Sequence, residues 1–242
     1  MEQNSSKKNV VILAAGDFPT HPVPLRALRE ADAVVCCDSA YSKWKVESGK
    51  RKVKVPFMVV GDGDSLSEYD KKELGDRWLQ VDEQDYNDLH KAMAWAMSGK
   101  WKVESGKIMD ASASFPLSSF HFPLIQILGA TGRREDHTLG NISYLVTFAG
   151  EYPGADIEML TDHGRFTAMT GHRTFASFPR QQVSIFAIDP DKPIYGDGLK
   201  WPLDGFRARL WWQATLNEAL GTGFSLRTEG WLIVFQTYAP KN

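Results

Sequence analysis

Three short segments of the chain combine residue types that handle metal ions and phosphate groups. The first is GDGDS at residues 61–65, which directly follows the apolar run Val55–Val60. Asp62 and Asp64 flank one glycine, so both carboxylates can face a hard divalent cation while the glycines leave room for a phosphate. The same residue types are also common in a solvated turn, or in a turn whose aspartate caps the next helix. The segment alone therefore leaves metal binding open.

The second segment is QDYND at residues 84–88, followed by Lys91. Asp88 and Lys91 are three residues apart, which places a carboxylate and an ammonium on one face of a predicted helix. The start of a helix also favours anions, because its free N–H groups point outward. Capping by Asn87, with Lys91 as a solvated surface residue, is the alternative interpretation.

The third segment is GATGRREDH at residues 129–137, between a predicted strand and a predicted helix. Gly129 and Gly132 permit a close approach by phosphate, an arginine can neutralise charge on transferring oxygens, and Asp136 can add a metal ligand. His137 fits a hydrogen-bonding role at the helix start better than that of a catalytic base. The glycine, lysine and hydroxyl spacing of a Walker P-loop is absent.

The elements that must position these segments alternate between apolar runs and helix-compatible stretches. The predicted strands are Val10–Ala14, Ala33–Cys37, Val55–Val60, Trp78–Val81 and Leu124–Leu128. The predicted helices are Leu25–Glu30, Tyr41–Val46, Ser67–Gly75, Asn87–Met97 and Thr138–Phe148. This alternation is typical of a parallel sheet covered by helices, whose strands share one carboxyl edge. We expect the polar segments to meet at that edge, where several carboxylates require a cation such as Mg²⁺.

From about Tyr152 the sequence changes to short β-rich runs separated by turn residues. These predicted strands are Ile157–Leu160, Arg165–Met169, Val183–Ile188, Phe206–Trp212 and Trp231–Tyr238. The pattern predicts an antiparallel sandwich. The sequence therefore predicts an α/β N-terminal domain, a parallel sheet with flanking helices, over residues 1–150. An all-β sandwich is predicted over residues 151–242.

Composition limits the classes of partner. The net charge of −2 over 242 residues gives no basic field, so a small ligand is expected rather than nucleic acid. Cys36 and Cys37 are adjacent in an apolar run, which indicates buried, reduced thiols. The apolar stretch after the polar Met1–Lys8 is too short to span a bilayer. These features predict a cytoplasmic protein without a membrane partner.

One octapeptide, KWKVESGK, occurs twice, at residues 43–50 and 100–107. It is too short and too isolated to be a structural repeat. The second copy opens a segment, through about Phe122, that is rich in Ser, Ala and Phe and is predicted to be an inserted loop.

The chain resembles the thiamine pyrophosphokinase family in five segments. They are VVGDGDS at 59–65, QDYNDLHKA at 84–92, LGATGRREDHTLGN at 128–141, GDGLKWPL at 196–203 and LNEALG at 216–221. The resemblance implies Mg²⁺-dependent transfer of diphosphate from ATP to the hydroxyl of thiamine. It also implies an α/β catalytic domain, a C-terminal β-sandwich, and a homodimer with thiamine sites between subunits.

The resemblance further implies residue roles. The residues that match its Mg²⁺–ATP carboxylates are Asp62, Asp64, Asp88 and Asp136. Those that match its phosphate and nucleotide contacts are Gln84, Asn87, Lys91, Thr131 and Arg134. Asp38 matches the aspartate of a DGGA-like turn, although Ser39 and Ala40 replace the glycines. Asn217 matches the asparagine of a Ser-Asn motif, although Leu216 stands where serine is usual.

Two rival functions remain at this point. One is a pyrophosphokinase for another hydroxymethyl heterocycle, such as a pterin, with the same metal machinery. The other is a catalytically silent thiamine or nucleotide binder, which the four aspartates disfavour. Four tryptophans of the C-terminal half offer aromatic faces to a cationic thiazolium: Trp201, Trp211, Trp212 and Trp231. Most of the eight tryptophans are expected in the core or at a dimer interface.

Overall fold

The computed structural model describes residues 8–53, 55–98, 102–104, 107–109 and 124–240. The chain forms two compact units, each assembled from more than one segment. The first unit comprises Met1–Ile142, Gly154–Asp156 and Leu160–Asp162. The second comprises Ser143–Pro153, Ile157–Met159 and His163–Asn242.

Strands and helices alternate as far as the fourth helix, and three strands then precede the fifth helix. In chain order they are β1 (Asn9–Leu13), α1 (Pro22–Arg29), β2 (Ala33–Cys37), α2 (Tyr41–Arg51), β3 (Phe57–Gly61), α3 (Glu68–Leu74), β4 (Trp78–Gln80), α4 (Asp88–Met97), β5 (Lys102–Glu104), β6 (Lys107–Met109), β7 (Leu124–Leu128) and α5 (Glu135–Glu151). The strands β7-β1-β2-β3-β4 pair in that order, and every pair is parallel. All five residues of β2 are buried, as expected for a strand covered on both faces.

Side-chain caps set the starts of two helices that flank this sheet. Ser67 accepts a hydrogen bond from the backbone N–H of Asp70 before α3, and Asn87 accepts one from His90 before α4. Because the strands are parallel, the residues that follow β2, β3 and β7 all leave the same edge of the sheet.

The second unit is built mainly from antiparallel strands. They are β9 (Gly164–Ala176), β10 (Gln181–Ala187), β11 (Ile194–Asp197), β12 (Leu203–Phe206), β13 (Asn217–Glu218) and β14 (Gly223–Pro240), preceded by β8 (Asp156–Leu160). The long strand β14 pairs antiparallel with β9, β10 and β11. Alternate residues of β10 are buried, so one of its faces contributes to a core that includes Val183, Ile185, Leu226 and Val234.

The predicted strand Phe206–Trp212 is wrong. β12 ends at Phe206, and Trp211–Ala214 form a 3₁₀ turn. The N–H of Leu210 donates to Oε1 of Gln213 at 2.8 Å, and the hydroxyl of Thr215 donates to the carbonyl of Trp212 at 2.8 Å. Such local bonds compete with the hydrogen bonds of a sheet.

The two copies of the octapeptide adopt different structures. The first lies within α2, whereas the second contributes all of β5 and the first residue of β6, which pair antiparallel. The rest of the predicted inserted loop lies outside the described residues. Among the residues described, no helix is long and apolar enough to cross a membrane.

Candidate active site

Three aspartates meet at the carboxyl edge of the parallel sheet. Asp38 follows β2, Asp62 follows β3, and Asp88 is the first residue of α4. One carboxylate oxygen from each lies within 4.8 Å of the other two. Asp38 is 1% exposed, while Asp62 and Asp88 are half-buried. We call these three residues the acidic group.

Two backbone N–H groups, one of them just after β3, fix the orientation of Asp38. The N–H of Gly63 donates to its Oδ2 at 2.9 Å, and the N–H of Ser39 donates to its Oδ1. A methyl group at Gly61 would lie 2.7 Å from Cγ of Asp38. Glycine at position 61 therefore lets a buried carboxylate pack directly against the strand end.

The acidic group has more negative charge than its surroundings balance. Burial, together with the charges of Asp38 and Asp62, raises the pKa of Asp88 to about 7. The ammonium of Lys91, which is 6% exposed, lies 3.7 Å from Asp88 and offsets part of this effect. The N–H of Asp64 lowers the pKa of Asp62. Three hard oxygen donors with one neighbouring ammonium suit a divalent cation.

A cavity of about 340 Å³ opens beside Asp88. Its lining consists of Ala14, Ala15, Gly16, Cys37, Ser39, Asn87, Asp88, Leu89, Ala130, Thr131, Arg133, Arg134, His137, Thr138 and Asn141. The guanidinium groups of Arg133 and Arg134 are the cationic side chains of this lining, so the cavity suits an anionic ligand. Burial raises the pKa of the Cys37 thiol, which keeps this thiol protonated.

The loops that follow β1 and β7 form one wall of this cavity. The N–H of Gly16 donates to the carbonyl of Gly129 at 2.6 Å, and the N–H of Asp17 donates to that of Thr131 at 2.8 Å. Gly129 adopts a positive φ of 63°. A methyl group at Gly16 would lie 2.3 Å from the carbonyl oxygen of Thr131. Backbone groups of the two loops therefore bond directly to each other, and the loops are closely packed.

Two asparagines connect α4 with the loop after β7. The side-chain amide of Asn87 donates to Oδ1 of Asn141 at 3.3 Å, while Asn87 also caps α4. The amide of Asn141 in turn donates to the carbonyl of Ala130 at 2.9 Å. This chain of bonds holds the start of α4 against the cavity wall.

The structure brings most of the predicted site residues of the first unit together. Asp38, Asp62 and Asp88 form the acidic group, and the predicted residues that line the cavity are Asn87, Asp88, Thr131 and Arg134. The amide of Gln84 lies 3.4 Å from Oδ2 of Asp62. Lys91 pairs with Asp88 from a buried position.

Asp64 and Asp136 lie outside the acidic group. The side chain of Asp64 is exposed, and its backbone N–H donates to Asp62 at 3.1 Å. Asp136 pairs with Arg134 through contacts of 2.5 and 3.1 Å. The guanidinium of Arg134 holds the pKa of Asp136 at about 2.

Asn217 belongs to the second unit and is buried. Its Oδ1 accepts a hydrogen bond from the N–H of Trp201 at 3.2 Å, and its amide donates to the carbonyl of Trp201 at 2.8 Å. The N–H of Glu218 also donates to Oδ1 of Asn217. Asn217 therefore fixes the backbone of Trp201, whose side chain is 52% exposed.

Sequence reasoning missed several residues of the cavity wall. Four cavity-lining residues were not predicted as site residues: Ser39, Arg133, Thr138 and Asn141. Arg133 adjoins the predicted Arg134, and Asn141 lies five residues after the predicted Asp136. Ala14, Ala15 and Gly16 also line the cavity but have no polar side chains, so their residue types do not indicate a ligand site.

Two protein-family domain models match this chain. The model of the thiamin pyrophosphokinase catalytic domain matches residues 25–157, and that of the thiamin pyrophosphokinase substrate-binding domain matches residues 164–235. Thiamin pyrophosphokinase 1 of Caenorhabditis elegans is 31% identical over 102 residues. That match covers 41% of this chain and 35% of the relative, so it spans about a third of the relative's length.

Solved structures share the fold over nearly the whole chain. Thiamin pyrophosphokinase from Candida albicans superimposes with a TM-score of 0.74 at 17% identity, covering 95% of this chain and 93% of that one. The yeast enzyme gives 0.73 at 17% identity, with 97% and 87% covered. The Bacillus subtilis structure gives 0.68 at 19% identity, with 96% and 100% covered. The catalytic-domain match alone spans more than half of the residues, and the chain belongs to the thiamin pyrophosphokinase family.

Proposed function

We propose that this protein is a thiamine pyrophosphokinase, which transfers the terminal diphosphate of ATP to the hydroxyl of thiamine and releases AMP. The observation that carries the proposal is the acidic group beside a cavity lined by two arginines, in a chain of this family. A pyrophosphokinase for a pterin, or a silent binder, is not favoured by the family match.

The acidic group fits Mg²⁺ because it offers three closely spaced carboxylate oxygens with excess negative charge. Asp38, Asp62 and Asp88 would hold the ion, and the predicted ligands Asp64 and Asp136 remain part of the proposal. When bound, Mg²⁺ would supply charge neutralisation for carboxylate and phosphate oxygens.

The residues of the chain then position the nucleotide and stabilise charge. Arg134 lines the cavity and pairs with Asp136, and Lys91 adds a buried positive charge next to Asp88. Gln84, Asn87 and Thr131 would contact phosphates and nucleotide. The hydroxyl oxygen of thiamine would form a bond to the β-phosphorus in line as the bond from that phosphorus to the oxygen of AMP breaks, and the hydroxyl proton would pass to water. Positioning and electrostatic stabilisation supply most of the rate increase.

We further infer that residues 151–242 form a β-sandwich domain for thiamine binding and dimerisation, after an α/β catalytic domain at 1–150. Asn217 and the tryptophans would serve the thiamine site. The second unit exposes large apolar side chains at Trp201, Leu210, Trp211, Trp212, Leu216 and Leu220. Such side chains favour burial against a partner, which supports a homodimer. A cytoplasmic enzyme, without nucleic acid or membrane partners, fits this proposal.

The direct test is an assay of products. Purified protein with thiamine, ATP and Mg²⁺ should form thiamine diphosphate and AMP in equal amounts, and EDTA should stop the reaction. ADP and thiamine monophosphate as the products would contradict the proposal. Faster turnover of a hydroxymethylpterin than of thiamine would support the rival pyrophosphokinase.

A further inference from the structure

We propose that Asp162 and Lys43 are positioning residues that clamp the loop of residues 14–21, so that its backbone forms a fixed wall of the nucleotide cavity. We call this segment the β1 loop. The inference rests on the proposed function, because it concerns the ATP half of the same site. All the residues involved belong to the first unit.

Asp162 holds the far end of the β1 loop. Its Oδ1 accepts hydrogen bonds from the N–H groups of Thr20 and His21 at 2.8 and 2.9 Å. Its Oδ2 accepts bonds from the hydroxyl and the N–H of Thr20 at 2.5 and 3.0 Å. His21 then caps α1 by accepting a bond from Val23. One carboxylate thus fixes the loop where the helix begins.

Lys43 holds the near end of the β1 loop. From α2, its ammonium donates to the carbonyl of Gly16 and lies 3.5 Å from that of Ala15. Both of these residues line the cavity. Because the ammonium donates to backbone carbonyls, it fixes the position of the main chain whatever side chains the loop carries.

The middle of the β1 loop is bonded to the loop after β7, so a shift at either end must reach the cavity wall. Asp17 donates its N–H to Thr131, and a methyl group at Gly132 would lie 2.6 Å from Oδ2 of Asp17. The two loops therefore have little room to move independently. Displacement of the β1 loop would carry Thr131 with it.

Neither Asp162 nor Lys43 lines the cavity, so each must act through the loop. A loosened wall should weaken nucleotide binding while leaving thiamine binding unchanged. This difference between the effects on the two substrates distinguishes the clamp from a general loss of stability, which would weaken the binding of both.

The test measures binding of α,β-methylene-ATP with Mg²⁺ to the full-length protein, together with the KM for each substrate. We expect Asp162→Ala and Lys43→Met each to weaken nucleotide binding about tenfold, because charge-assisted bonds to the wall are lost. The KM for ATP should rise in parallel and that for thiamine should not. Lys43→Arg should restore most of the affinity, since it keeps a donor to the carbonyls.

Two matched controls should bind the nucleotide as the unsubstituted protein does. Lys50→Met removes an exposed ammonium from the same helix, where Lys50 pairs with Glu47. Asp204→Ala removes an exposed carboxylate from β12.

The outcomes separate the clamp from the proposed function. Folded Asp162→Ala and Lys43→Met proteins that bind the nucleotide normally would overturn the clamp alone, as would an equal rise in both KM values. Should Asp162→Ala fail to fold, the variant Thr20→Val tests the clamp instead. It removes only the hydrogen bond from the Thr20 hydroxyl to Asp162, so it should weaken nucleotide binding to a smaller degree. Normal nucleotide binding by this variant would overturn the clamp. Absence of nucleotide binding to the unsubstituted protein would overturn both proposals.

Discussion

At the scale of single residues, Asp62 and Asp64 are separated by one glycine but occupy different environments. Asp62 belongs to the acidic group, whereas the side chain of Asp64 is exposed. We expect Asp62→Asn to lower Mg²⁺-dependent turnover at least about a hundredfold, because it removes a hard-cation ligand at nearly constant volume. Turnover at saturating Mg²⁺ measures this effect, and circular dichroism verifies the fold.

The matched variant Asp64→Asn tests whether Asp64 is also a ligand of the metal ion. A comparable loss would include Asp64 in the proposed metal site, as the family resemblance implies. Near-normal turnover of Asp62→Asn itself would show that this residue only shapes the turn.

Asp88 should make the stability of the metal-free protein depend on pH. Its pKa of about 7 in the folded protein exceeds the value of about 3.9 for aspartate in an unfolded chain. Between these values the folded state binds more protons, so the free energy of unfolding falls as the pH rises. We expect Asp88→Asn to reduce this fall in thermal melts in EDTA from about pH 4 to pH 8. If the stability of the two proteins depended on pH in the same way, the raised pKa of Asp88 would be contradicted.

At the scale of elements, the packing of the β1 loop against the loop after β7 should tolerate no added methyl group. Cβ of Gly16→Ala would lie 2.3 and 2.4 Å from two backbone carbonyl oxygens. We expect the free energy of unfolding to fall by about 1–3 kcal/mol, since backbone on both sides must shift.

Gly49→Ala is the matched control for this substitution. Gly49 lies in α2 with no atom within 4 Å of an added methyl, so alanine should stabilise the helix by about 0.5–1 kcal/mol. Denaturant titration measures both variants, and equal effects would mean that the loops are less tightly packed than their distances indicate.

At the scale of the whole molecule, the exposed apolar side chains of the second unit should mediate self-association. Trp212 is 70% exposed next to the exposed Trp211. We expect sedimentation to show a dimer at micromolar concentration and Trp212→Glu to shift it towards monomer, because a charge would be buried at the interface. The control Val46→Glu alters an exposed apolar residue of α2 and should leave the dimer intact. A monomeric unsubstituted protein would contradict the proposed homodimer.

Local sequence signals were sufficient to predict the elements in which those signals agree with the surrounding structure. Apolar runs marked β2 and β7 to the residue, and Asn87 marked the start of α4. Motif spacing also identified Asp62 and Asp88 as neighbours at the carboxyl edge, because parallel strands share that edge. These inferences needed only periodicity, capping residues and the direction of the strands.

Features that depend on contacts between residues distant in sequence could be read only from the three-dimensional structure. The octapeptide KWKVESGK forms part of a helix at residues 43–50 and contributes strand residues at 102–104 and 107, so its own preferences do not settle its conformation. The structure likewise placed Lys91 in a buried position and joined Asp162 to Thr20, which lies 142 residues earlier. Local patterns describe the free energy of short segments, whereas burial and hydrogen bonds between distant segments depend on how the whole chain packs.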